Sequence, residues 1–149
     1  MPLDERQLLG MLAPEYHAYM EWLRAQNWPP LDALPVPDAR ARMRRAQRGE
    51  VSRCAASVER HALEDFPVQI VKPAGAEEPS PIIVYCHGGG WVLGDFGTHG
   101  RMVRELAAQS RAAAVFVEYA RAPETRFPVA LEQCYRALTW VDEQGGCWP

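Results

Sequence analysis

The feature that most constrains the fold is a short apolar run that leads directly into three consecutive glycines. Residues 81–86 read PIIVYC, and residues 87–91 read HGGGW. An almost uninterrupted apolar strand is typical of a sheet that is covered on both faces. Glycine loses more conformational freedom on folding than any other residue, so three in succession indicate a turn where side chains do not fit. We predict a buried strand that ends in a loop with accessible backbone.

The segments around this loop favour an α/β fold. Short apolar runs at 58–63, 68–71 and 113–119 are typical of strands, and 82–86 adds another. Apolar residues at helical spacing occur over 98–111, where Thr98 is the candidate N-cap, and again from Pro128 onward. This alternation of strands and helices predicts a parallel α/β sheet.

Two helices are predicted ahead of the first strand. Residues 5–23 carry apolar side chains at three- and four-residue steps, with a bend expected at Pro14. A proline-rich connector, 28–37, leads to a second helix that starts at Pro37, has Asp38 in its first turn and runs toward Gly49. We predict a helical cap region over 1–50 and a sheet domain over 51–149. The first helix either packs on its own domain or covers a substrate pocket.

Composition excludes several classes of function. At 149 residues and 48% hydrophobic, the chain is long enough to bury a core. A net charge of −3 gives no reason to expect nucleic acid or an anionic membrane as a partner. No apolar run approaches the roughly 20 residues of a membrane helix, and no targeting signal is recognised, so a cytoplasmic location is expected. The arginines of the second helix point around most of its surface and are interpreted as a solvated face: Arg40, Arg42, Arg44, Arg45 and Arg48.

The cysteines do not indicate a metal site or a disulfide framework. They are widely spaced and form no C-x-x-C pair: Cys54, Cys86, Cys134 and Cys147. Reduced thiols are therefore expected. No metal and no cofactor is predicted.

The glycine loop suits the chemistry of acyl transfer. The tetrahedral intermediate of that reaction develops negative charge on one oxygen, and fixed amide donors aimed at this oxygen lower the barrier. A phosphate-binding loop would require a helix directly after the glycines and usually a G-x-x-x-x-G-K-[ST] string, and neither is present. A simple tight turn is the remaining alternative.

Two segments carry a family resemblance. Residues 87–95, HGGGWVLGD, resemble the HGGG signature of the hormone-sensitive-lipase-like esterases, a branch of the α/β-hydrolase superfamily. Residues 118–128, EYARAPETRFP, are similar to that family's D-Y-R-L-A-P-E-x-x-F-P segment, with Glu118 for the usual Asp and Ala120-Arg121 for Arg-Leu. The resemblance implies the amino-terminal part of an α/β-hydrolase sheet with a helical cap, without the nucleophile strand and the elements that come after it in the family.

The resemblance also implies roles for individual residues. The amides of Gly89 and Gly90 would form two thirds of an oxyanion hole, Gly88 would shape the loop, and His87 would support it. Trp91 is the candidate substrate-binding residue. The third amide in the family belongs to the residue after the nucleophile.

The catalytic nucleophile, acid and base are not found in this sequence. The family places its serine in a G-x-S-x-G turn. The following serines all lack these flanking glycines: Ser52, Ser57, Ser80 and Ser110. Cys147 in GGCWP lacks the second glycine and a preceding strand, so it is not nominated. His17, His61 and His99 precede the position of a triad histidine and have structural explanations. A frameshift, an early stop or a truncation would explain the departure at 142–149.

Three functions remain open at this point. The first is a serine esterase or lipase-like hydrolase whose substrate is a small-molecule ester, and the chain alone is then expected to be inactive. A hydrolase-like protein that has kept its pocket without the triad would bind ligands without turnover. An inert fragment is the third possibility. Self-association through the strand at 81–86 is also expected, because without a neighbour on one side it becomes an exposed sheet edge.

Overall fold

The structure is a computed structural model that describes residues 10–48, 54–77 and 79–143, together with the backbone of residues 147–148. The chain divides into two compact units, Met1–Pro35 and Val36–Pro149. The predicted boundary at residue 50 lies in the range 49–53, outside the described residues, and stays a prediction.

The first unit contains the helix α1, Pro14–Ala25, and a short 3-10 turn, Leu31–Ala33. Pro14 occupies the first turn of α1, where the missing amide proton of proline removes no hydrogen bond. The helical stretch is interrupted rather than bent at Pro14, because residue 10 is helical, residues 11–13 are not, and α1 begins at Pro14. The predicted start of the helical stretch at residues 5–9 lies outside the described residues. Exposed aromatic rings of α1 stack along its surface, with Tyr19 on Trp22 at 5.9 Å between centroids.

Three longer helices and five strands lie in the described part of the second unit. The helices are α2, Val36–Ala46, α3, Phe96–Ser110, and α4, Val129–Glu143. The strands are β1, Ala56–Leu63, β2, Phe66–Pro73, β3, Ser80–Cys86, β4, Ala113–Val117, and β5, Cys147–Trp148. Within the described ranges, no helix has the length and apolar character needed to cross a membrane.

The strands form one mixed sheet in the order β1-β2-β4-β3-β5. β1 and β2 form an antiparallel hairpin, and β2 pairs antiparallel with β4 over residues 68–71. β3 and β4 are parallel, with Cys86 opposite Val117, and α3 connects them. The predicted α/β class is confirmed, and the hairpin makes the sheet mixed. Pro67 and Pro73 lie inside β2 but beyond its pairing with β4, where a missing amide proton is tolerated.

The core lies on both faces of β4, which is buried throughout. Val115 and Val117 face one side and pack in a cluster with Ala137 and Val141 of α4. The alternate residues of β4 face the other side, where Phe116 packs with α3. Because successive side chains of a strand point to opposite faces, one five-residue strand joins both helices to the sheet.

The strand that leads to the glycine loop is less covered than its sequence predicts. Residues 82–85 of β3 are half-buried, whereas every residue of β4 is buried. Among the described residues, β5 pairs only with Ser80 and Pro81, so the rest of β3 has a partner on one side alone. Self-association through this edge stays a prediction.

Phe116 should be the most costly aromatic side chain to remove from this core. It is fully buried and lies 5.3 Å from the ring of His87 and 5.3 Å from that of Phe96, between centroids. We expect Phe116→Ala to lower the free energy of unfolding by about 3–5 kcal/mol in urea denaturation. The matched control is Phe127→Ala, since Phe127 is 86% exposed and its removal should cost less than about 0.5 kcal/mol. Equal losses in both variants would contradict the assignment of the core.

Candidate functional site

The glycine loop connects β3 to α3 and begins at the carboxyl end of β3. Gly89, Gly90 and Gly94 have positive φ values of 132°, 62° and 87°, and Trp91 has a φ of 62°. A Cβ atom on Gly89 would overlap the carbonyl group of Leu93 and lie 2.6 Å from its carbon. The backbone angle and the close approach together require glycine at position 89.

The amides at the tip of this loop are available to a ligand. The Gly89 carbonyl oxygen accepts hydrogen bonds from the amides of Val92 at 3.2 Å and Leu93 at 2.8 Å, which closes a tight turn. Within the part of the chain that the structure describes, the amides of Gly89 and Gly90 donate to no acceptor. Gly89 is half-buried and Gly90 is exposed. Two adjacent donors therefore remain for an incoming acceptor beyond the end of a sheet strand.

His87 lies beneath the loop as a buried, stacked ring. Its imidazole stacks on Tyr119 at 4.1 Å and on Phe116 at 5.3 Å between centroids. Nδ1 lies 2.9 Å from the Gly88 carbonyl oxygen, which is only an acceptor, so Nδ1 carries the proton. The Tyr119 hydroxyl donates to the His87 carbonyl oxygen at 2.6 Å. Burial lowers the pKa of His87, and the ring is neutral near pH 7.

A second glycine fits against this ring. A Cβ atom on Gly94 would lie 2.5 Å from the Gly88 carbonyl oxygen and 2.6 Å from Nδ1 of His87. The loop therefore folds back on its own base, and the space between Gly94 and His87 admits no side chain. Gly88 differs from Gly89 and Gly94, because a Cβ atom on Gly88 would meet nothing within 4 Å.

Asp95 ends the loop and starts α3. Its carboxylate accepts a hydrogen bond from the Thr98 amide at 3.0 Å, and the Thr98 hydroxyl accepts one from the Asp95 amide at 2.9 Å. The prediction of Thr98 as the cap is therefore wrong by three residues, because Asp95 is the N-cap and Thr98 completes the capping box. Burial opposes ionisation of Asp95, but the hydrogen bond and charge of Arg44, the Thr98 amide and the charge of Arg121 together outweigh it, and the pKa of Asp95 is lowered.

Arg40 of α2 joins the glycine loop to the segment that follows β4. Its guanidinium donates to the Val92 carbonyl oxygen at 2.8 Å, to the Ala122 carbonyl oxygen at 2.8 Å and to both carboxylate oxygens of Glu124 at 2.7 and 2.9 Å. The Ala122 amide also donates to the Trp91 carbonyl oxygen at 2.9 Å. The interpretation of the α2 arginines as a purely solvated face is wrong for Arg40, because its side chain is only 14% exposed.

The two segments that carry the family resemblance are thus in direct contact. Arg121 donates to the carbonyl oxygen of Gly94 and lies 3.8 Å from the Asp95 carboxylate. Position 121 departs from the family's residue order, yet its side chain reaches the loop. Tyr119 and Arg121 on one side and Arg40 on the other hold the loop at its base and at its outer turn.

Trp91 borders an apolar cleft beside the loop. The cleft has a volume of about 220 Å³, and Phe127, Leu131 and Ala122 form part of its wall. Trp91 is half exposed and lies directly after the two free amides. A more polar cavity of about 360 Å³ is lined by His87, Asp95 and Arg121, among others.

Several of the serines and histidines that were not nominated as catalytic residues have structural partners. The Ser80 hydroxyl is buried and accepts a hydrogen bond from the Ala113 amide at 3.2 Å. His61 stacks on Trp140 at 5.2 Å, and Nδ1 of His99 lies 2.8 Å from the Thr98 hydroxyl. Ser52 lies outside the described residues. Among the residues that are described, no group of three or more His, Cys, Asp or Glu side chains could hold a metal ion.

Cys147 lies at the wrong end of the sheet to act beside the glycine loop. Its backbone pairs with Pro81, at the amino-terminal end of β3, in a short strand that the residue pattern does not predict. His87 comes six positions after Pro81, which corresponds to roughly 20 Å along an extended strand.

Comparison with known proteins gives a consistent assignment. Residues 83–148 match the family model described as alpha/beta hydrolase fold. A crystal structure of a mutant of the esterase rPPE superposes with a TM-score of 0.83 at 37% sequence identity, and the match covers 90% of this chain and 43% of that one. The chain has the amino-terminal part of the alpha/beta hydrolase fold. Residues 87–95 and 118–128 carry the resemblance to the hormone-sensitive-lipase-like esterases. That resemblance is confirmed, and it covers the amino-terminal part of those proteins.

Two further proteins that are similar to this hydrolase-fold chain are esterases. It is 40% identical to carboxylesterase NlhH of Mycobacterium tuberculosis over 81 residues, which are 54% of this chain and 25% of that protein. An esterase from the bacterial hormone-sensitive lipase family shares the fold, with a TM-score of 0.78 at 24% identity, over 91% of this chain and 44% of that one. The chain spans less than half the length of each of these proteins.

The glycines of this hydrolase-fold chain should differ sharply in their tolerance of a methyl group. We expect Gly89→Ala to lower the free energy of unfolding by about 1–3 kcal/mol, because both the φ value and the Leu93 carbonyl oppose a side chain. Gly88→Ala is the matched control, and its effect should stay within about 0.5 kcal/mol. Urea denaturation measures both. A Gly88→Ala variant as unstable as Gly89→Ala would contradict the loop geometry.

Stability should depend on pH through His87. Its pKa is lower in the folded chain than its ordinary value of 6.5, so the unfolded chain takes up the proton first as the pH falls. The free energy of unfolding should therefore decrease from about pH 6.5 toward pH 5. The carboxylates with lowered pKa values have ordinary values of 3.8 to 4.5 and act at lower pH. Urea denaturation across this range should show a smaller slope for His87→Asn, and an unchanged slope would contradict the assignment.

Proposed function

We propose that this chain is part of a carboxylic ester hydrolase whose oxyanion hole contains the amides of Gly89 and Gly90. The observation that supports this most is the pair of adjacent amide donors at the end of β3, which donate to no acceptor among the described residues. Fixed donors aimed at the position where an oxyanion forms are worth about 3 kcal/mol each in acyl-transfer enzymes. An entropically costly glycine loop is consistent with this use.

The contacts around the loop support such a role because the donors must not move as charge develops. His87 supports the loop from below through its hydrogen bond to Gly88 and its stacking on Tyr119. Arg40 holds the outer turn through the Val92 carbonyl oxygen. An oxyanion site works by preorganisation, since donors that must reorient during the reaction give back part of the stabilisation.

The proposed mechanism uses a serine nucleophile that this sequence does not contain. In the family that the chain resembles, the nucleophile turn and the acid and base come after the segments matched here. We therefore propose that the 149-residue chain is inactive by itself and that hydrolysis requires a G-x-S-x-G segment. The third oxyanion donor would come from the amide after that serine.

The proposed substrate is a small ester with an apolar group. Trp91 stands next to the proposed oxyanion site and borders a cleft of about 220 Å³ lined mainly by apolar side chains, including Phe127 and Leu131. This volume is small for a ligand pocket and favours a short acyl or alcohol group. Trp91 is the proposed contact between this cleft and the reacting carbonyl.

Binding of a carboxylate product tests the proposed oxyanion site without requiring turnover. Butyrate titrated into 15N-labelled chain should give saturable shifts of the Gly89 and Gly90 amide resonances. The Gly88→Ala variant should bind similarly, and Gly89→Ala should bind at least tenfold more weakly, because its loop cannot keep this conformation. Shifts that are absent, or that spread evenly over the surface, would contradict the site.

Hydrolysis of p-nitrophenyl butyrate tests the activity. The 149-residue chain should release p-nitrophenol no faster than buffer, whereas a gene product extended through a G-x-S-x-G segment should hydrolyse the ester. Replacing the serine of that segment by alanine is the control and should abolish turnover. Saturable binding by the extended product without turnover would instead support a non-catalytic binding protein.

A further inference from the structure

Arg40 binds the glycine loop at a peptide group that in turn binds the tip of the loop. Its Nε donates to the Val92 carbonyl oxygen at 2.8 Å. The same peptide group carries the Leu93 amide, which donates to the Gly89 carbonyl oxygen at 2.8 Å. A trans peptide group is planar, and its C=O and N–H point in opposite directions. The hydrogen bond from Arg40 on one side of this peptide group therefore fixes the direction of the Leu93 amide on the other side.

The next peptide group leads to the proposed oxyanion site. The Gly89 carbonyl shares its peptide group with the Gly90 amide, so a carbonyl that is held by the Leu93 amide turns the Gly90 amide the opposite way. Among the described residues, the Gly90 amide donates to no acceptor. A continuous chain of hydrogen bonds thus runs from the guanidinium of Arg40 through two peptide groups to a free N–H group.

A second chain of the same form supports the Gly89 carbonyl. The Ala122 amide donates to the Trp91 carbonyl oxygen at 2.9 Å, and the Val92 amide of that peptide group donates to the Gly89 carbonyl oxygen at 3.2 Å. Nη2 of Arg40 donates to the Ala122 carbonyl oxygen at 2.8 Å. Both amides that bind the Gly89 carbonyl are therefore fixed from behind, one by Arg40 directly and one by a residue that Arg40 holds.

The guanidinium of Arg40 is itself held in one orientation. Both oxygens of the Glu124 carboxylate accept hydrogen bonds from it, at 2.7 and 2.9 Å. The Arg40 side chain is only 14% exposed, so water competes little for its donors. A bidentate pair of this kind adds geometric specificity, and a charged donor makes a hydrogen bond roughly twice as strong as a neutral one.

We propose that Arg40 is a positioning residue of the oxyanion site, which orients the Gly90 amide through these two peptide groups. This role rests on the proposed function, because only an incoming oxyanion gives the oriented amide a use in catalysis. Hydrogen bonds in series polarise one another, so the charge of Arg40 also makes the Gly90 N–H group a stronger donor.

The Gly89 amide is oriented by a different side chain. Its peptide group contains the Gly88 carbonyl, whose oxygen accepts a hydrogen bond from Nδ1 of His87 at 2.9 Å. The two donors of the site therefore depend on separate contacts, the Gly89 amide on His87 and the Gly90 amide on Arg40. Removal of Arg40 should disturb one donor and leave the other in place.

Backbone relaxation of the ligand-free, 15N-labelled 149-residue chain tests this division. In the wild-type chain, the amides of Gly89 and Gly90 should both have order parameters of about 0.85, the value of rigid backbone. Arg40→Ala should lower the order parameter of Gly90 below about 0.6 and leave that of Gly89 near its wild-type value. Arg48→Ala is the matched control, since it removes an exposed arginine just beyond α2 and should change neither amide.

Two results of this measurement would overturn the proposal. One is an unchanged Gly90 amide in Arg40→Ala, and the other is an equal loss of order at Gly89 and Gly90. Unshifted amide resonances of β4 confirm that a variant is folded. If the alanine variant does not fold, Arg40→Lys replaces it, because a single ammonium group cannot reproduce the bidentate pair with Glu124 while it also binds the Val92 carbonyl. Its Gly90 order parameter should then lie below the wild-type value.

Butyrate titration separates this proposal from the proposed function. Arg40→Ala should bind butyrate about fivefold or more weakly than the wild-type chain, with smaller shifts at Gly90 than at Gly89. Equal affinities of the two chains would contradict the positioning role and leave the proposed oxyanion site intact. A wild-type chain without butyrate shifts, whose Gly90 order parameter still depends on Arg40, would contradict the proposed function and support the orientation of the amide by Arg40.

The kinetics of an extended gene product that hydrolyses p-nitrophenyl butyrate give the last readout. Arg40→Ala should lower kcat about tenfold or more and change KM less than about threefold, because the oxyanion forms only as the reaction proceeds. Arg48→Ala should leave both constants at their wild-type values. A rise in KM with an unchanged kcat would overturn the positioning role, since it would show that Arg40 acts on substrate binding alone.

Discussion

The stack of His87 between Phe116 and Tyr119 is the interaction on which the glycine loop depends. Phe116 belongs to β4, the most deeply buried strand, so the imidazole rests on the part of the sheet with the least freedom to move. The hydrogen bonds of the ring and of the Tyr119 hydroxyl then fix the first turn of the loop. The neutral side chain of His87 therefore connects the buried apolar core to the glycine loop.

The arginine contacts have a different physical character from this stack. Arg40 and Arg121 reach carbonyl oxygens on the outer part of the loop, and each also lies near a carboxylate. The exposed part of such an ion pair is screened by water and contributes little to stability. Hydrogen bonds from a charged donor to a backbone carbonyl are directional, so these arginines contribute more to the shape of the loop than to the stability of the fold.

Local patterns in the sequence predict the elements that depend on local interactions. The strand before the glycines, the helix at 98–111 and the need for glycine in the loop all arise from residues close in sequence. The role of Arg40 could not be predicted, because its partners Val92, Ala122 and Glu124 lie far along the chain. The predicted cap is misplaced because Asp95 stands within the glycine-loop motif. The free amides of Gly89 and Gly90 required coordinates, since no residue pattern reports which backbone donors are occupied.

The register between β3 and β4 limits the sequence changes that the glycine loop tolerates. Cys86 lies opposite Val117, so His87 follows one strand end directly while Tyr119 stands two residues beyond the other. A slip of one residue would shift Tyr119 by about 3.3 Å and turn its ring to the opposite face of the sheet. The register of the two strands therefore sets the distance between the rings of His87 and Tyr119. Single-residue insertions or deletions in β3 or β4 would misalign the loop even where every side chain in it is unchanged.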